Sequence, residues 1–309
     1  MSFTAEVKDE LSRVEPTCSK CDKAELAALI RLQGTLSINS GHMRLEVVTE
    51  TASVARTAIR LLHGVYRLRT ELTVRRSVLH KTHNYLVTVP PQEQLDRALR
   101  DLGIIGPAGF SQGIKPELVE RACCAGAYLR GAFLSGGYIA DPKGDFHFEL
   151  TTSSEQLAGE FIDLMAEHGV RARQTRRHNM YTIYIKGVDQ IIAFLAFVGA
   201  HRSALAIENA RVIKSVRNDT NRRVNAEIAN QVKSVNASMQ QVEQIRRVVE
   251  DRGIDKIPPA LAEIAVLRLK HPDASIKELG ELADPPLSKS AVYHRLRRIG
   301  ELAEKTREP

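Results

Sequence analysis

The side chains best placed for chemistry lie near the C-terminus, in residues 289–303, KSAVYHRLRRIGELA. At helical spacing Val292, Leu296 and Ile299 share one face, while Ser290, His294 and Arg297 share the opposite one. Lys289, Tyr293 and Arg298 flank the polar face. Arg295 lies beside the apolar face, where it either supports the helix or reaches one DNA strand. Hydroxyl, imidazole and guanidinium groups projecting from the N-terminal half of a helix are what reading base edges in a major groove requires. Arg297 suits a guanine, whereas Lys289 and Arg298 suit phosphates. The rival for the same pattern is a solvated amphipathic helix packed on a three-helix bundle.

The elements that would hold such a helix are legible just upstream. Residues 259–269 form an apolar helix carrying Leu261, Ile264, Ala265 and Leu267, stopped by Pro272. Ser275 and Glu278 have the spacing of a capping box, opening a short helix that buries Ile276, Leu279 and Leu282. Asp284-Pro285-Pro286 breaks it, and Ser288 caps the next. Two short helices across a tight turn, behind a supporting helix, predict a helix-turn-helix at about 275–305.

Other candidates are weaker. Arg67, Arg69 and Arg75 alternate with Leu68, Leu72 and Val74, which predicts a strand with one core face and one basic face. Arg171 and Arg173 occupy the matching strand about a hundred residues later, followed by Arg176 and Arg177. Glu46, Glu71 and Glu149 lie on the same strands and oppose phosphate contact, so DNA contact, protein docking and a solvated sheet all stay open. Arg222 and Arg223, in the asparagine-rich run 221–231, read equally as a second phosphate-contacting element or a fraying linker helix. Cys18 and Cys21 make one CxxC, but no second pair lies at zinc-ribbon spacing, and Cys123-Cys124 sit in an apolar helical context. They read as reduced structural thiols, and no metal or cofactor is expected.

In chain order, helix, hairpin, helix, hairpin and helix occur twice, with a period of about one hundred residues, which marks an internal duplication. The first copy has a turn at Ser40-Gly41 and a helix stopped at His63-Gly64; the second has turns at 142–144 and His178-Asn179 and a helix stopped at His168-Gly169. Gly/Pro-rich residues 106–117 link the copies, and polar residues 214–225 read as a hinge. Central to each copy is an apolar, small-residue helix: LAALIRLQGTL at 26–36 and LRGAFLSGGYI at 129–139. Gly131 and Ala132 would let the two pack closely. The 309-residue chain has 44 Lys and Arg against 37 Asp and Glu, a net charge of +7 that favours a nucleic-acid partner. It has no apolar run long enough for a bilayer and no signal-peptide core at its start, which predicts a cytoplasmic location.

Both central stretches resemble the LAGLIDADG helix of homing endonucleases. Leu129, Gly131 and Gly137 match that motif in one copy, and Leu26, Ala27, Leu29, Ile30 and Gly34 in the other. The resemblance implies a pseudo-twofold saddle around two paired helices. In an active copy a metal-binding Asp precedes the last Gly; here Gln33 and Gly136 stand there, so the fold is expected without the nuclease. The opening MSFTAEVKDEL, the block NRRVNAEIAN and the end SKSAVYHRLRRI resemble the WhiA family of bacterial regulators over essentially the full length. The terminal unit is also similar to the promoter-reading helix-turn-helix of sigma factors. The family resemblance implies transcriptional control of cell division and chromosome segregation, and of sporulation in filamentous actinobacteria. It further implies cooperation with RNA polymerase, its sigma factor and a WhiB-like iron–sulfur protein.

The expectation is therefore an α+β chain: a duplicated αββαββα saddle, with copies at 1–110 and 111–213, then an all-α DNA-binding domain at 214–309. The expected function is sequence-specific, non-enzymatic binding of double-stranded DNA at the nucleoid. The alternatives are a metal-dependent homing-type endonuclease, opposed by Gln33 and Gly136, and a nucleoid-associated protein without promoter specificity.

Overall fold

The computed structural model describes residues 2–39, 42–76, 83–107 and 109–305. The chain divides into two compact units, Met1–Lys214 and Ser215–Pro309.

The first unit opens with α1 (Phe3–Leu11). Its first repeat runs α2 (Cys21–Gln33), β1 (Gly34–Asn39), β2 (His42–Thr49), α3 (Ala52–Tyr66), β3 (Glu71–Arg76), β4 (His83–Val89) and α4 (Glu93–Asp101). A two-residue hairpin, β5 (Ile105–Gly106) and β6 (Gly109–Phe110), leads to the second repeat. That repeat runs α5 (Ala122–Gly136), β7 (Gly137–Ile139), β8 (Phe148–Thr152), α6 (Glu155–Glu167), β9 (Ala172–Arg177), β10 (Met180–Ile185) and α7 (Val188–Val198). The strand orders are β1-β2-β4-β3 and β7-β8-β10-β9, the same topology twice, as a duplication requires.

The two motif helices, α2 and α5, pack on each other at the centre, and residues 124–135 of α5 are all buried. Their approach depends on Gly131, where an added Cβ would lie 2.2 Å from the Glu25 carbonyl oxygen. Small residues let backbones come this close because nothing projects between them. The contact also buries a salt bridge: Arg130 donates to Glu25 Oε2 from Nε at 2.9 Å and from Nη2 at 2.7 Å. Burial pushes the Glu25 carboxyl up, against the pull of Arg130. Phe133, Phe148 and Phe194 complete the core of the second repeat.

Several sequence expectations meet corrections here. Helix α3 does not stop at His63-Gly64; it continues to Tyr66 and ends on Arg67, whose φ of 54° is left-handed. Arg67 and Arg69 thus precede β3 instead of alternating along it. Leu72 and Val74 do share a face with buried Val87 across the ladder, but they are 49% and 50% exposed, because β3 is the sheet's edge strand. The His178-Asn179 turn does close β9–β10, with both residues at positive φ as a two-residue hairpin demands. The Ser40-Gly41 turn lies outside the described residues. Residues 214–225, expected as a hinge, are helical within α8 (His201–Arg252), and residues 215–237 are exposed throughout.

The second unit contains the C-terminal part of α8, then α9 (Pro259–Lys270), α10 (Ile276–Glu281) and α11 (Lys289–Lys305). Ile245 and Val248 join Ile264, Ala265, Leu279, Val292, Leu296 and Ile299 in a separate apolar core.

Candidate nucleic-acid interface

Helix α11 is held by a series of local devices. Ser275 accepts from the Glu278 amide and Glu278 Oε2 from the Ser275 amide, so the capping box opens α10 as its spacing predicts. The Leu287 amide donates to the Gly280 carbonyl at 2.8 Å, and a Cβ on Gly280 would lie 2.3 Å from the Leu287 oxygen. Gly280 therefore sets how closely the turn folds back on α10, a role that a lone glycine inside a helical pattern could have signalled. Ser288 Oγ then accepts from the Ala291 amide, capping α11. Arg268 of α9, 2% exposed, donates to the carbonyls of Pro272 and Ala274 and so braces the loop entering α10. Leu282, expected in the core, is 48% exposed: α10 ends at Glu281, and Leu282 falls on its C-cap.

The register of α11 separates its faces as its spacing requires. Val292, Leu296 and Ile299 are buried, while Lys289, Ser290, Tyr293, His294, Arg297 and Arg298 are all exposed on the same helix. Arg297 Nε is 3.1 Å from Glu301 Oε1, an exposed pair one turn apart that contributes little and can exchange for another anion. Arg295 points elsewhere. Its Nη1 lies 2.9 Å from Glu263 Oε2 and 3.2 Å from the Ala260 carbonyl of α9, so it ties α11 to its supporting helix. Of the two roles left open for Arg295, support is the one this geometry favours.

The other basic candidates are dispersed. Arg75 shares the outer sheet face with Arg44, Glu46 and Glu71, and Arg44 pairs with Glu46 at 3.0 Å, so charge there is balanced. In the second sheet Arg173 and Arg177 share a face with Glu149 and Tyr184, which leaves a basic excess. Arg171 immediately precedes β9, and its amide donates to Gln190 Oε1. Arg222 pairs with Asp219 on the exposed part of α8, and Arg223 follows it, also exposed.

At the C-terminal ends of α2 and α5, where a nuclease would gather acids, stand Gln33 and Gly136. Gln33 and Ser135 line a cleft of about 380 Å³ together with Lys8 and Glu50. Burial pulls the Lys8 ammonium down to about 8, with Glu50 opposing. This is one carboxylate beside a lysine, not the pair of acidic ligands that holds metal ions at a scissile phosphate.

The opposite ends of the same helices carry a grouping that sequence spacing did not disclose. Cys18, Cys21, Cys123 and Cys124 bring their four Sγ atoms within 4.8 Å of one another. All four are free thiols. The Lys20 backbone amide draws Cys18 down to about 6, while burial pushes Cys21 and Cys124 up. Among the described residues this is the one group of three or more Cys, His, Asp or Glu side chains arranged to hold a metal ion.

Comparison with known proteins matches the chain in three successive segments. Residues 19–105 match the WhiA N-terminal LAGLIDADG-like domain, 125–217 the WhiA LAGLIDADG-like domain, and 220–303 the WhiA C-terminal HTH domain. The probable cell division protein WhiA of Desulforamulus reducens is 45% identical over 312 residues, covering 99% of this chain and 97% of its own length. The protein of the same description from Desulfitobacterium hafniense is 45% identical over 310 residues, covering 100% and 97%. The crystal structure of full-length DUF199/WhiA from Thermatoga maritima aligns with a TM-score of 0.62 at 23% identity, covering 99% of both chains, and shares the fold.

Proposed function

This chain belongs to the WhiA family, and from that premise we propose that α11 reads specific sequences in double-stranded DNA. The protein is a WhiA-type, non-enzymatic regulator of cell division and chromosome segregation with DNA as a partner. The observation that carries the finer reading is the polar face of α11. Ser290, His294 and Arg297 stand exposed together, while the opposite face supplies the core that fixes the helix. A rigid helix presenting a guanidinium and short polar groups is suited to base edges in a major groove. Lys289 and Arg298 flank that face and take the flanking phosphates.

The saddle serves as a docking or secondary DNA surface. Arg173 and Arg177 of its second sheet make that half the more basic one, and the balanced charges of the first sheet suit a protein partner better than a duplex. RNA polymerase with its sigma factor, and a WhiB-like iron–sulfur protein, are the proposed partners there, and sporulation is the proposed setting where the host forms spores. Regulation through DNA implies residence at the nucleoid.

A genome-wide occupancy map tests the reading. Sharp peaks sharing a motif and lying at promoters support it. Diffuse coverage that scales with DNA content would favour a nucleoid-associated protein without promoter specificity.

A further inference from the structure

The four cysteines lie where α2 and α5 begin, at the opposite ends of those helices from Gln33 and Gly136. Cys18 closes the loop before α2, and Cys21 is that helix's first residue. Cys123 and Cys124 fall in the first turn of α5. The first pair is thus a CxxC knuckle from one repeat, and the second is an adjacent pair from the other. Cys18 Sγ is 3.5 Å from Cys21 Sγ, 3.5 Å from Cys124 Sγ and 3.7 Å from Cys123 Sγ. A tetrahedral zinc–thiolate site has bonds of about 2.3 Å, which puts its sulfurs about 3.8 Å apart. The observed spacings already approach that shell.

We propose that Cys18, Cys21, Cys123 and Cys124 form a structural zinc site that clips the start of α2 to the start of α5. Four sulfurs with no oxygen donor among them select a soft, thiophilic ion over magnesium, calcium or manganese. Their span of 4.8 Å suits the ligand shell of one ion and is too narrow for a cluster of four irons, each taking its own cysteine. Four protein ligands also leave no open position, which marks a structural and not a hydrolytic centre. Three of the four lie in the first turn of a helix, so rigid backbone fixes the position of those sulfurs. Cys21 and Cys124 are each 1% exposed, so bulk water is kept from that side of the ion. The clip would join residues more than a hundred positions apart and constrain the two repeats at their pairing helices, lowering the entropy of the unfolded chain.

The test uses the full-length, untagged protein, purified without chelator. Elemental analysis should find one zinc per chain. Replacement by cobalt(II) should produce the thiolate-to-metal charge-transfer and visible ligand-field bands of a tetrahedral four-sulfur site. Removing the ion with a strong chelator should lower the thermal midpoint of the first unit and make all four thiols reactive, and added zinc should restore both. Cys18→Ser, on the half-exposed loop, should lower zinc occupancy and weaken the cobalt charge-transfer bands; if that variant does not fold, the wild-type measurements alone decide. Four thiols that react freely in the native, zinc-free protein would overturn the proposal. So would disulfides at these positions, or stoichiometric iron in place of zinc.

Discussion

Arg130 of α5 and Glu25 of α2 form a buried, doubly hydrogen-bonded ion pair across the interface between the two repeats, with side chains only 6% and 1% exposed. A third guanidinium nitrogen reaches the Val198 carbonyl at 3.3 Å. Breaking such a pair from one side strands a buried charge, which costs about 3–5 kcal/mol, whereas replacing both partners with apolar groups is often neutral. Arg130→Met should therefore destabilise the first unit strongly, and the double variant Glu25→Leu/Arg130→Met should recover most of the loss. Urea denaturation of the three proteins measures this; a double variant no better than the single one would show that the pair contributes by packing alone.

The motif helices also depend on Gly131. A methyl group there would meet backbone at 2.2 Å, and backbone cannot step aside as a side-chain tip can. Alanine normally stabilises a helix interior by about 1 kcal/mol over glycine. Gly131→Ala should do the opposite and lower the thermal midpoint. An unchanged or raised midpoint would mean that the two helices are free to separate.

Lys8 gives a pH signature. Its folded pKa, near 8, lies below the 10.5 of a free lysine, so between those values the unfolded chain binds more protons. Stability from this group therefore rises with pH across that window and is lowest below it, where the half-buried ammonium stays charged. Lys8→Met should stabilise the protein near neutrality, and its advantage should fade as pH approaches 10.5. An advantage independent of pH would assign the gain to packing.

The degenerate motif predicts an absence that can be assayed. With Gln33 and Gly136 where metal-holding acids would stand, supercoiled plasmid should survive incubation with the protein and Mg²⁺ or Mn²⁺. Cleavage abolished by changing an acid in the first unit would reverse that conclusion.

Much of this was readable from residue spacing because it was local. The period-3.6 pattern places Val292, Leu296 and Ile299 inward, and the Ser275–Glu278 spacing specifies its capping box without help from distant residues. The repeat order αββαββα was visible because each copy carries its own turns. What escaped depends on tertiary context. Leu72 and Val74 alternate like core residues, yet they lie on an edge strand that nothing described covers. Polar residues 214–225 resembled a hinge, yet they continue a helix of 52 residues. Cys18 and Cys124 are 106 positions apart, and only the side-by-side, parallel packing of α2 and α5 brings the starts of the two helices together, so no local spacing rule could find them. Arg295 and Arg297 differ by two positions, which on a helix is enough to send one to Glu263 and the other to solvent.

The division into units is directly testable. Expressed separately, residues 1–214 and 215–309 should each fold cooperatively, since each has its own apolar core. The C-terminal fragment should keep the full protein's sequence preference, and the N-terminal one should bind DNA weakly at most. If the N-terminal fragment kept the preference, α11 would not be the reader.

The most direct measurement titrates the wild-type protein, Arg297→Ala and Lys289→Ala against a duplex from an occupancy peak and a scrambled duplex, at two salt concentrations. Arg297→Ala should lose about 1–3 kcal/mol, mainly on the specific duplex, because a bidentate pair with guanine discriminates between bases. Lys289→Ala should weaken both duplexes alike and lower the salt slope by about one unit, because one fewer counterion is released. Equal losses on both duplexes for Arg297→Ala would contradict base reading by α11 and leave Arg297 a phosphate contact.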